Sequence, residues 1–121
     1  MIKGLRTAMY PVPDMEQGKA WYTSVFGVPP YFDQPFYIGF AVGGFELGLF
    51  PDGTPGPSGS RVYWGVDDIE AEVERITALG ATVFSAIQEV GEGIKVAELN
   101  DPYGNVLGLI YNPLFKAEDV R

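Results

Sequence analysis

Two residue types are missing from this chain altogether: its 121 residues include no cysteine and no histidine. Without cysteine there can be no disulfide, thiol nucleophile or zinc–thiolate site, which fits a reducing, cytoplasmic setting. Without histidine the commonest metal ligand is gone, as is the commonest general base near neutral pH. Positive charge is also scarce. Eight Lys and Arg face sixteen Asp and Glu, giving a formal net charge of −8. Such a surface repels phosphate backbones, so no nucleic-acid partner is expected. It favours solubility and would suit a cationic ligand. No apolar run approaches the roughly 18–20 residues that span a bilayer, so no membrane partner is expected. The start, Met1-Ile2-Lys3-Gly4, lacks the apolar stretch and cleavage site of a secretory signal.

What is present is ordinary globular material, 46% hydrophobic and 20% charged, of a length that suits one domain. Two segments have helical signatures. Pro13-Asp14-Met15-Glu16-Gln17 opens the first, with Asp14 as cap and Gln17 as its box partner. Gly18, Trp21, Tyr22 and Val25 share one face, and Gly27 ends it. Asp67-Asp68-Ile69-Glu70 opens the second, where Asp67 with Glu70 reads as the capping box. Ile69, Val73 and Ile76 form its apolar face, and Gly80 stops it. Alternating segments surround both helices: 3–12, 31–32, 37–42 and 45–50 around the first, then 61–66, 82–86, 94–99 and 106–111 around the second. Residues 51–60, rich in Gly, Pro and Ser, read as a flexible connector. The polar tail from Lys116 to Arg121 reads as frayed or a short helix.

The halves repeat one another. Val12-Pro13-Asp14-Met15 aligns with Val66-Asp67-Asp68-Ile69, and Phe26-Gly27 with Leu79-Gly80. Gly44-Phe45-Glu46-Leu47-Gly48-Leu49 aligns with Gly104-Asn105-Val106-Leu107-Gly108-Leu109. Each half reads strand, helix, strand, strand, strand. Alternation puts Ala8, Tyr10 and Val12 toward the helix, with Thr7, Met9 and Pro11 on the opposite face. The same logic sends Val62 and Trp64 to the helix, and Arg61, Tyr63 and Gly65 away from it. Leu47, Leu49, Leu107 and Leu109 are then core, whereas Glu46, Gly48, Val106, Gly108 and Ile110 face the other way.

With these blocks in hand, the chain resembles the vicinal-oxygen-chelate superfamily, the glyoxalase, bleomycin-resistance and extradiol-dioxygenase group. The most specific mark is Asn100-Asp101-Pro102-Tyr103-Gly104-Asn105, similar to the family's Asp-Pro-x-Gly-Asn turn. The resemblance covers about residues 3–112. It implies an α+β fold of two βαβββ modules, about 3–50 and 61–112, curling into a cup-shaped mixed sheet with the helices outside. It also implies a small-molecule site in the cup and a homodimer. Metal-dependent members place ligands at positions that here hold Thr7, Gly48, Arg61 and Gly108, none a usual metal ligand. No metal and no cofactor are therefore expected. Glycine at 48 and 108 is expected to open volume in the cup, walled by Met9, Tyr31, Phe32, Tyr63, Val106 and Ile110. Glu46 and Arg61 would supply opposite charges there.

Two readings follow. The first is a protein that binds a small organic molecule without a metal, through Thr7, Met9, Tyr31, Glu46, Gly48, Arg61, Tyr63 and Gly108. The alternative is a glyoxalase- or dioxygenase-like enzyme with an atypical or absent metal site. In a metal-free form, Glu46 or Glu98 would act as base, its pKa raised by burial.

Overall fold

The computed structural model describes residues 7–56 and 62–114. The expected strand start at 3–6, connector residues 57–60, Arg61 and the polar tail all lie outside the described residues. Ten elements follow the chain as β1 (Thr7–Pro11), α1 (Met15–Phe26), β2 (Phe32–Gln34), β3 (Tyr37–Val42), β4 (Phe45–Phe50), β5 (Val62–Gly65), α2 (Ile69–Ala78), β6 (Thr82–Gly91), β7 (Ile94–Asn100) and β8 (Val106–Tyr111). This is an α+β fold of two βαβββ modules. No described helix is long and apolar enough to cross a membrane.

The first module is a four-stranded mixed sheet in the order β1-β4-β3-β2, parallel between β1 and β4 and antiparallel elsewhere. Helix α1 packs across β3 and β4. Tyr10, Val12, Tyr22, Val25, Ile38, Phe40, Leu47 and Leu49 make its core. The helix sits close on the sheet because position 18 is glycine: a Cβ there would lie 3.0 Å from a Val12 methyl. Asp14 caps α1 by accepting from the Gln17 N–H at 3.1 Å. Gly27 closes the helix at φ +73°, a left-handed conformation open to glycine at little cost.

The second module repeats the plan, in the order β5-β8-β7-β6. Helix α2 packs on β6, β7 and β8. Ile69, Ile76, Ala97, Leu99, Leu107 and Leu109 form its core, while Val73 is only half-buried. Its cap is Asp68, which accepts from the Ala71 N–H at 3.0 Å. The expected capping box of Asp67 and Glu70 is thus one residue early. The repeat itself marks the correct cap, because Asp68 is the residue that aligns with Asp14. Strand β6 runs to Gly91, five residues past the expected end at Ala86, with register shifts against β7 that disturb its alternation.

The connector also differs from expectation over its described part. A Cβ on Gly53 would lie 2.7 Å from both Phe50 and Pro11. Gly56 donates its N–H to the Asn105 side chain at 3.3 Å, and Asn105 donates in turn to the Pro11 carbonyl at 2.8 Å. Residues 51–56 are therefore packed and tethered, because glycine permits close approach even where no apolar side chain is available. By compactness, 102–105 group with the unit that holds residues 7–56.

Candidate functional site

Pairing register decides which side chains share the sheet face opposite α1. In the first module Thr7 pairs with Glu46, and Met9 with Gly48, across the parallel ladder. Gly39 pairs with Gly48, and Ala41 with Glu46, across the antiparallel one. Phe32 pairs with Gly39, and Tyr37 with Gln34, so these four also lie on that face. Strand partners on the α1 side carry the core instead, and Asp33 there bridges to Lys19 of the helix at 3.0 Å.

A polar cluster stands on this face. The Tyr31 phenol donates to Oε1 of Glu46. The Tyr37 phenol donates to Oε2 at 2.5 Å. Because the Tyr37 proton is committed to Glu46, the Thr7 hydroxyl donates to the Tyr37 oxygen at 3.2 Å. Donation by Tyr31 and then Tyr37 holds the Glu46 carboxyl below its ordinary value of 4.5, outweighing partial burial. Tyr31 is raised above the ordinary 10.0, chiefly by its bond to Glu46. Tyr37 is raised by burial first and by Glu46 second, with Thr7 opposing. The cluster therefore holds one ionised carboxylate and two protonated phenols at neutral pH. The expected raising of the Glu46 pKa by burial is overturned, since two donors outweigh desolvation.

The two glycines do not leave open volume. A Cβ on Gly48 would overlap the Tyr37 phenol, including Cε1 at 2.6 Å. A Cβ on Gly108 would lie 2.5 Å from the Tyr63 ring and 2.6 Å from the Val62 carbonyl oxygen. In each module a tyrosine ring covers the glycine. Tyr63 is the strand partner of Gly108, at the place where Met9 partners Gly48. The ring over Gly48 comes instead from β3.

The other predicted residues separate. Met9 and Tyr31 are exposed at 47% and 63% and border the Glu46 cluster. Phe32 joins it through Tyr37, with ring centroids 6.0 Å apart. Tyr63, Glu98 and Gly108 gather on the second module's sheet, where Glu98 pairs with Gly108. Val106 is buried and offers no open wall. Arg61 lies outside the described residues. Tyr37, the first residue of β3, is the site residue that the sequence reading did not include. The pattern Tyr37-Ile38-Gly39-Phe40-Ala41 carried the signal: two small residues follow it on the same face and leave room for a large ring.

These residues do not fit a divalent metal. Thr7, Gly48 and Gly108 offer at most one hydroxyl, and rings occupy the space above both glycines. Among the described residues no three His, Cys, Asp or Glu gather.

Comparison with known proteins agrees with the fold. A glyoxalase-related enzyme from Fulvimarina pelagi superposes with a TM-score of 0.77 at 20% identity, over 95% of this chain and 92% of that one. The fosfomycin resistance protein FosX from Listeria monocytogenes superposes at 0.78 with 18% identity, over 94% and 97%. TioX from Micromonospora sp. ML1 gives 0.72 at 20% identity, over 89% and 98%. Curated protein sequences give no significant match. The sequence model of one family matches residues 4–109. The chain belongs to the Glyoxalase/Bleomycin resistance protein/Dioxygenase superfamily.

Proposed function

We propose that this protein binds a small organic molecule, without a divalent metal, on the sheet face that carries Thr7, Met9, Tyr31, Tyr37 and Glu46. One observation carries the reading. The Tyr37 ring occupies the space above Gly48, while its phenol and that of Tyr31 hold the Glu46 carboxylate. A position that would carry a metal ligand in metal-dependent relatives is thereby given over to an aromatic ring and its hydrogen bonds. A largely apolar surface with a few oriented polar groups is the usual make-up of a small-molecule site. A family named in part for drug resistance supports a small-molecule ligand as well.

General-base catalysis by Glu46 fits poorly. Its pKa is held down, so it binds a proton weakly at neutral pH. The phenols fit better as fixed donors that orient the carboxylate. We also propose that the two modules form one domain and that the protein is a homodimer, which light scattering after size exclusion tests.

The site is tested by nuclear magnetic resonance titration, once with nickel, zinc, manganese and ferrous iron, and once with a panel of aromatic compounds. Organic compounds are expected to shift the amides of Thr7, Met9, Tyr37 and Glu46, and metals to leave them unmoved. Stoichiometric metal binding at these residues would sink the metal-free reading. A panel that moves none of them would sink the binding reading.

A further inference from the structure

Among the described residues, the Glu46 carboxylate has neutral partners only. Tyr31 and Tyr37 donate to it, and Thr7 supports Tyr37. A part-buried carboxylate ordinarily recruits arginine or lysine. Between residues 7 and 56 the sole basic residue is Lys19, and it is engaged with Glu16 and Asp33 on the helix side. Two carboxylate oxygens accept about four hydrogen bonds in all, so acceptor capacity remains beyond the two phenols.

The surroundings are aromatic and open. Tyr31 is 63% exposed, Phe36 66% and Phe32 38%. Phe32 meets Phe36 at 6.1 Å and Tyr37 at 6.0 Å, both edge to face, so the rings present faces in different directions. Ring faces attract cations through their quadrupole, and a phenol that donates to a carboxylate has a more electron-rich ring. A carboxylate that no described basic residue meets, beside exposed rings, satisfies an organic cation on both counts. A bare divalent ion would find one carboxylate too few ligands, and an anion would meet Glu46 and a net charge of −8.

We infer that Glu46, held by Tyr31 and Tyr37 with the Phe32 ring against Tyr37 and Phe36 against Phe32, receives an ammonium group carried on an aromatic or alkyl body. This rests on the binding reading above and names its ligand class. The cation sits at the free lone pairs of Glu46, and its body lies on the exposed rings.

Three probes of one shape test it in low-salt buffer: 1-naphthylmethylammonium, 1-naphthalenemethanol and 1-naphthaleneacetate, each titrated by nuclear magnetic resonance. The ammonium is expected to bind about tenfold or more tighter than the alcohol, with the acetate weakest. Glu46→Gln should bring the ammonium to the affinity of the alcohol. Phe36→Ala, at a site too exposed to threaten folding, should weaken the ammonium severalfold and keeps the test valid if Glu46→Gln does not fold. If alcohol and ammonium bind this face equally, the cation inference is overturned and the binding reading stands. If no probe shifts this face, both fall. An ammonium that binds away from Glu46 overturns the inference.

Discussion

Replacing Gly48 with alanine should damage this protein through one identifiable ring. The added Cβ would fall inside the Tyr37 phenol, so the ring must leave. Forcing a methyl into a filled space costs about 1–3 kcal/mol. Moving the ring also breaks the 2.5 Å bond to Glu46, worth about 1 kcal/mol where the groups are partly solvated. Alanine returns about 0.5–1 kcal/mol by restricting the unfolded chain. The net expectation is a loss of about 1–3 kcal/mol, read from the midpoint of urea unfolding at unchanged slope. The cause is then isolated by a double-mutant cycle. In a Tyr37→Ala background Gly48→Ala should cost almost nothing, because the obstacle is gone. Gly108→Ala makes the control. It meets not only Tyr63 but the Val62 carbonyl at 2.6 Å, and that oxygen is backbone. Tyr63→Ala should therefore fail to rescue it. Additive costs for Gly48→Ala and Tyr37→Ala, or an undisturbed Gly48→Ala protein, would refute the claim that the ring fills this position.

Lowering pH should weaken the fold through Glu46. Its folded pKa lies below the ordinary 4.5, so its contribution is complete above that value and is lost as pH falls through the folded one; urea titrations of Glu46→Gln should show a shallower acid limb. At the other end Tyr31 and Tyr37 are raised above 10.0, so their contribution is complete below pH 10 and disappears as pH climbs through the folded values; in tyrosinate absorbance near 295 nm the Tyr31→Phe/Tyr37→Phe protein should lack two of the late-ionising groups of the parent. Asp68→Ala should cost about 1 kcal/mol of stability and Asp67→Ala close to nothing, since only Asp68 holds the Ala71 amide. Asn105→Ala should cost about 2 kcal/mol in the same assay, because it removes two hydrogen bonds and leaves the Pro11 carbonyl without its amide donor.

The repeat was readable because it depends on short-range chemistry. Caps, helix stops and strand alternation each occupy a few residues, and the matched blocks put Met9 and Tyr63 at the same distance before Asp14 and Asp68, and Gly48 and Gly108 at the same place in the last strand. Burial of Leu47, Leu49, Leu107 and Leu109 followed from alternation alone. What alternation leaves open is reach. It assigns Tyr37 to a face but not its ring to the space over Gly48, one strand away. Nor does it say that the Tyr31 phenol, arriving from outside the strands, ends on Glu46. The direction of the Glu46 pKa depended on those two phenols, so a reading from burial alone gave the wrong sign. The Asp67 cap failed for a smaller reason. Two adjacent aspartates satisfy the same local rule, and only the alignment with Asp14 separates them.

Asn105 reaches Pro11 across 94 positions of sequence. During synthesis, β1 to β4 leave the ribosome well before the residue that ties Pro11 to Gly56 has been made. The first module can form its ladders early, but the link between its first strand and its outgoing segment must wait for the last turn of the second. Contacts of such separation slow folding and favour a late, cooperative closure over stepwise completion of one half and then the other. The two halves repeat in sequence, yet they do not finish in sequence.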